Sequence, residues 1–182
     1  MKRFLLTVFA MTIACANFAL AQEMPEMPQP QPEHKFLERF VGDWNSKMEA
    51  SGIPGQPPME CQGETKAKMM GPFWIVMAAK GEMGGEPMES IMQLGYDAKK
   101  KKYVGTWSDS CTDHMWQYEG TVEGETLTLH TEGPNMTDPN KMAKYREVIQ
   151  FLSPDHYEFS SSMENGEGGW TTFMMAEFKK KK

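Results

Sequence analysis

Asp109, Cys111 and His114, in the segment SDSCTDHMW, are the residue types that build a thiol nucleophile with a base and an orienting carboxylate. The thiolate is the attacking species, so such a centre needs an imidazole beside the sulfur. Side chains alternate faces along an extended chain, and Cys-x-x-His therefore sends these two apart. The spacing favours an ordinary loop segment over a catalytic centre. His34, His114, His130 and His156 fall in separate elements and share no ligand spacing, so no metal site is expected from them. Two minor alternatives stand beside that reading: His114 as a lone haem ligand, and Met24 with Met27, in MPEM, as a soft Cu(I) pair. The chain carries no G-x-S-x-G, H-E-x-x-H or Gly-rich phosphate loop. Whether it is an enzyme is left open, with a non-catalytic role favoured.

The elements that position these residues belong to one domain. A chain of 182 residues with a formal charge of -6 is long enough for one core and too acidic for a phosphate-facing nucleic-acid surface. Lys2 and Arg3, the apolar run from Phe4 to Ala14, and Ala19-Leu20-Ala21 read as a secretory signal peptide over 1–21. The run is too short to span a bilayer, so the exported chain, periplasmic or secreted, is not expected to be transmembrane. A lipid anchor at Cys15 is the lesser alternative. Export leaves Cys61 and Cys111, an even pair in a compartment that permits a disulfide. Residues 22–32, with four prolines, form a tether, and 33–182 form the domain.

A short amphipathic helix is expected at 33–40, with Phe36, Leu37 and Phe40 on one face. From Gly42 the apolar period becomes two. Strands are predicted at 43–50, 59–69, 73–81, 87–96, 102–109, 113–122, 125–131, 142–151, 156–163 and 169–178. Mostly tight turns between them imply an all-β, antiparallel up-and-down barrel. Parity puts Met59, Cys61, Gly63, Thr65, Ala67 and Met69 inside, and likewise His114, Trp116, Tyr118 and Val122. A two-residue turn at Glu123-Gly124 would pair Val122 with Glu125 and Gly120 with Leu127, turning Glu125 inward. Met59, Thr65, Met92, Trp107, His114, Trp116 and Tyr118 are the expected lining of a cavity for an apolar or amphipathic molecule. A solid core would use the same residues. Trp44 reads as a plug at the closed end.

FVGDW (Phe40 to Trp44), LGYD (Leu94 to Asp97), YVGTW (Tyr103 to Trp107), TDHMWQYEG (Thr112 to Gly120), LTLHTEGP (Leu127 to Pro134) and YREVIQF (Tyr145 to Phe151) occur in an order that resembles the bacterial domain-of-unknown-function family 1579. The resemblance spans residues 33–178. It implies a lipocalin-like, calycin-type barrel and no established activity. Asp113 is an insertion where that family's pattern runs straight from Thr to His.

In a meander, the loops around 51–58 and 132–141 share one rim, and the helix closes the other end. The long loops mark the mouth. Lys99 to Lys102 and Lys179 to Lys182 fall at the base, where they could meet an anionic envelope surface, whereas the mouth gathers acids. The expected function is an exported, non-enzymatic barrel for a small lipophilic ligand. The alternatives are an enzyme using the same cavity and a solid surface-binding protein. Of 18 Met, only Met1 and Met11 lie in the leader, so the excess belongs to the domain.

Overall fold

The computed structural model describes residues 27–51, 57–138, 140–166 and 168–182. The signal peptide, Cys15, Met24 and the first part of the tether, residues 22–26, lie outside the described residues. Ten strands form the domain: β1 Gly42–Ala50, β2 Met59–Met70, β3 Trp74–Met83, β4 Glu86–Asp97, β5 Lys102–Asp109, β6 Trp116–Glu123, β7 Thr126–Pro134, β8 Met142–Ser153, β9 His156–Glu164 and β10 Trp170–Lys180. Each pairs antiparallel with the next, and β10 closes on β1, giving the expected barrel. Closure leaves no free sheet edge along the ring. Among the described residues, no helix is long and apolar enough to cross a membrane.

Alternation drives the closure. In β2, Glu60, Gln62, Glu64, Lys66 and Lys68 are exposed, while Thr65 and Ala67 are buried between them. The two faces differ so strongly that a one-residue slip would bury charge.

Two details depart from the sequence reading. The turn between β6 and β7 consists of Gly124 and Glu125, so Val122 pairs with Leu127 and Gly120 with Leu129. Gly124 takes φ +58 at the first central position, where glycine meets no Cβ penalty. Glu125 is thereby exposed rather than inward, and its carboxylate forms an ion pair with Arg39. The second departure is that β6 begins at Trp116, not at 113. Asp109 Oδ1 accepts hydrogen bonds from the backbone N–H of Cys111 at 2.6 Å and of Thr112 at 2.8 Å. This side-chain turn offers the backbone an alternative to the ladder, and the segment carrying Asp113 stays out of the sheet.

The base is closed by α1 His34–Leu37, continued by a 3-10 turn Glu38–Phe40. Leu37 and Phe40 are fully buried with Ile75, Leu94, Leu127 and Phe151. Each such side chain contributes roughly 1.5–3 kcal/mol by leaving water. Trp44 is fully buried, donates Nε1–H to the Phe40 carbonyl at 2.7 Å, and meets the Tyr157 ring edge-on. Tyr103 donates its hydroxyl to the Glu33 carbonyl at 2.8 Å. The Arg39 guanidinium lies 4.4 Å from the Phe151 ring centroid, covering the plug from outside. The helix, placed just before β1, and Trp44, near the start of β1, therefore act as the expected stopper.

Candidate functional site

Above this stopper the barrel is hollow. A cavity of about 270 Å³ lies above Phe40, Tyr157 and Phe178, with Met136 of the β7–β8 loop among its lining residues. Its wall holds seven methionines, Met48, Met77, Met83, Met88, Met92, Met136 and Met174, with Trp107, Trp116, Tyr145, Phe159 and Phe173. Unbranched thioethers can repack around an irregular guest.

Of the residues expected to line a cavity, Thr65, Met92, Trp107 and Trp116 do so. Met59 is partly buried at the rim, where its sulfur lies against the Gly84 turn. His114, read as inward, belongs to the segment before β6 and lines a groove on the outer wall. There it meets the Trp116 ring edge-on at 5.0 Å, with Nε2 3.4 Å from the Glu132 carbonyl oxygen. Tyr118 is buried in the core and reaches the cavity wall through its hydroxyl, which donates to Glu147 Oε1 at 3.1 Å.

Glu147 is the residue that sequence reasoning missed. It stands on β8 in the inward register shared by Tyr145, Ile149 and Phe151, paired with Leu129 of β7 and Ser161 of β9. The side chain keeps some accessible surface while lining the cavity, the pattern of a group that opens onto an internal space. Burial raises its carboxyl from 4.5 to about 7, and the Tyr118 hydrogen bond partly offsets that rise. The Tyr118 hydroxyl is itself pushed upward by burial and by the neighbouring carboxylate. The parity of YREVIQF carried this signal, because an acid occupies an inward position in an otherwise apolar series.

On the same side the wall is incomplete. The β6–β7 ladder ends at Glu119 and His130, leaving Trp116 to Tyr118 unpaired with the end of β7. The Trp116 indole fills that opening: a Cβ on Gly133 would stand 2.3 Å from its ring. Trp116 Nε1 and Thr131 Oγ1 are buried here with no hydrogen-bond partner.

Residues 29–180 match the family described as protein of unknown function, DUF1579. The chain belongs to the DUF1579 family. No curated protein matches it. Among solved structures, Rv2717c from M. tuberculosis is similar at 13% identity and a TM-score of 0.60, over 85% of this chain and 100% of that one. The S-type phycobiliprotein lyase CPES from Guillardia theta is similar at 19% identity and a TM-score of 0.57, over 85% and 99%. At these identities the likeness shows the fold, a calycin- or lipocalin-like barrel.

Other features of this DUF1579 barrel bear on the expected chemistry. Cys61, half-buried in the cavity wall, and Cys111, exposed in the β5–β6 loop, are both free thiols. The Asp109 carboxylate is engaged by backbone N–H groups and by Thr112 Oγ1 at 3.1 Å, which leaves it serving the loop rather than a thiol–imidazole pair. Among the described residues no group of three or more His, Cys, Asp or Glu could hold a metal ion. Met27 is exposed, and its suggested partner Met24 lies outside the described residues.

Several base lysines are matched by acids. Lys100 and Lys102 hold Glu119 at 2.5 and 2.9 Å, Lys179 holds Glu177 at 2.9 Å, and Lys181 holds Glu64 at 2.6 Å. The two lysines hold the Glu119 carboxyl down at about 2. These pairs reduce the positive field that the lysine runs alone would present to an anionic surface.

Proposed function

We propose that this chain is an exported, non-enzymatic barrel that binds a small apolar or amphipathic molecule in its methionine-lined cavity. The observation that carries the reading is the space itself: about 270 Å³ remains inside a barrel whose base is sealed by Leu37, Phe40 and Trp44. Small barrels commonly fill their interior with side chains. Here Gly63, Ala79, Gly81, Ser46, Ser90 and Ser161 line the wall beside the larger groups, and small side chains leave the centre vacant. Apolar space of this kind binds apolar guests readily. Export rests on the leader at 1–21.

Titrating the protein with an anilinonaphthalene dye, while following tryptophan emission, tests the reading. Trp107 and Trp116 line the cavity and should report a saturable change. Ala79→Trp, which fills the space from the β3 wall, should weaken binding by about tenfold or more, the equivalent of losing a few buried methylenes of contact. No saturable response from the unmodified protein, or an unchanged one in the filled variant, would overturn the cavity reading.

A further inference from the structure

The cavity is chemically two-sided. In the ten-stranded ring β8 lies opposite β3. The β3–β4 side supplies Met77, Met83, Met88 and Met92, whereas β6 and β8 bring Trp116 and Glu147 to the lining, with the Tyr118 hydroxyl held on the Glu147 carboxylate. A guest would therefore meet thioethers on one flank and the Glu147 carboxylate on the other.

Glu147 gives that polar flank its sign. Its carboxyl is engaged by one neutral donor, the Tyr118 hydroxyl. None of the ion pairs among the described residues includes it. Arg146, the next residue along β8, turns outward, and its guanidinium lies 4.8 Å from the Trp170 ring centroid. An acid surrounded by protein without a cation is costly in its charged form, and an arriving cation removes that cost. Trp107, Trp116 and Tyr145 line the same space, and aromatic rings attract a cation. A carboxylate guest would instead meet like charge.

We propose that Glu147 is the ligand anchor of the cavity and that the molecule it selects is an amphipathic amine: an apolar body seated against the methionines, with one protonated nitrogen on the Glu147 carboxylate. This inference rests on the cavity reading above and narrows it to a ligand class. The other titratable groups around the cavity are Tyr118 from β6, Tyr145 from β8 itself, Tyr157 from β9, Cys61 from β2, and Lys80 and Glu82 toward the mouth end of β3. Burial pushes the three tyrosines upward, so they stay neutral near pH 7. The Glu147 proton is then the one expected to govern amine binding between pH 6 and 8.

Decylamine, decanol and decanoate, matched in length, test the proposal by calorimetric titration below their micellar concentrations. In the unmodified protein at pH 8 the amine should bind tightest, and its affinity should fall as pH drops through about 7, where Glu147 takes up a proton. Glu147→Gln should weaken the amine by roughly tenfold or more, as expected for losing a charge-assisted bond, and should leave decanol within about twofold. Retained decanol binding also certifies that the variant folds. Tyr118→Phe removes the one hydrogen bond to the carboxylate and should move the midpoint of the amine profile to higher pH. An amine no tighter than decanol, a decanoate that binds best, or an amine affinity unchanged by Glu147→Gln would overturn the anchor while leaving the cavity reading standing. If neither the dye nor any of the three compounds binds, both readings fall.

Discussion

Replacing Glu147 by Gln should stabilise the protein at pH 8 and do so much less at pH 5. The folded carboxyl titrates at about 7 against an ordinary value of 4.5. Between those values the folded state holds a proton that the unfolded state has released, so stability falls as pH rises. The contribution is fully present below 4.5 and is lost through about 7. Converted at the usual rate, the shift corresponds to about 3 kcal/mol at most, because water entering the cavity would solvate the carboxylate and lower the cost. The steepest slope from one such group is about 1.4 kcal/mol per pH unit. Glu64, Glu119, Asp138 and Glu177 act in the opposite sense, since lysines hold all four below their ordinary values. Their stabilisation is present above the ordinary carboxylate range and fades on acidification. It cancels when protein and variant are compared at one pH. Urea unfolding followed by far-UV circular dichroism at pH 5, 6, 7 and 8 measures the difference. A stability gap that stays constant from pH 5 to 8 would refute the placement of Glu147 as a buried, cation-free acid.

Gly120→Ala should lower the melting temperature, since its Cβ would stand 1.9 Å from the Thr128 carbonyl oxygen and 2.9 Å from the Leu129 Cα. The obstacle is backbone and cannot rotate away, so a cost of about 1–3 kcal/mol is expected by thermal denaturation, in place of the small gain that Gly→Ala brings at open strand positions. Trp44→Phe keeps a ring under Tyr157 and removes the 2.7 Å bond to the Phe40 carbonyl. Leaving that carbonyl unpaired should cost about 1–3 kcal/mol in denaturant midpoint analysis.

The barrel was legible because its strands carry redundant signals. In β2 every exposed residue is charged or an amide up to Lys68, and the turns are marked by Gly71, Gly84-Gly85 and Gly124. Parity survives errors of two residues, which is why the β6–β7 register was misjudged by one turn position without moving any residue of the paired strands to the wrong face; only Glu125, which falls in the turn, was wrongly turned inward. The error at the start of β6 had another origin. A single carboxylate, Asp109, competed with the ladder for the backbone N–H groups of Cys111 and Thr112. Periodicity does not register such competition, so His114 was carried inward with Trp116 and Tyr118.

The polar flank of the cavity was only half legible for a geometric reason. Tyr118 and Glu147 belong to β6 and β8, which do not pair; β7 lies between them, with Leu129 opposite both Gly120 and Glu147. Strand-to-strand spacing is about 4.8 Å, so groups two strands apart meet only when the sheet curves around the interior. Curvature is a property of closure and has no local sequence signal. Glu147 itself could have been found by asking which inward positions break the apolar series, because Tyr145, Glu147, Ile149 and Phe151 share one face. A search for paired carboxylates passes over a lone one. The methionine excess divides along the same logic: Met70, Met115, Met142 and Met175 are exposed, while seven others enclose the cavity. Thioethers tolerate a guest of almost any shape, so they contribute little discrimination. On the proposed ligand-binding reading, selectivity comes from the few inward polar atoms, and Glu147 is the cavity-lining acid whose carboxyl burial raises to about 7.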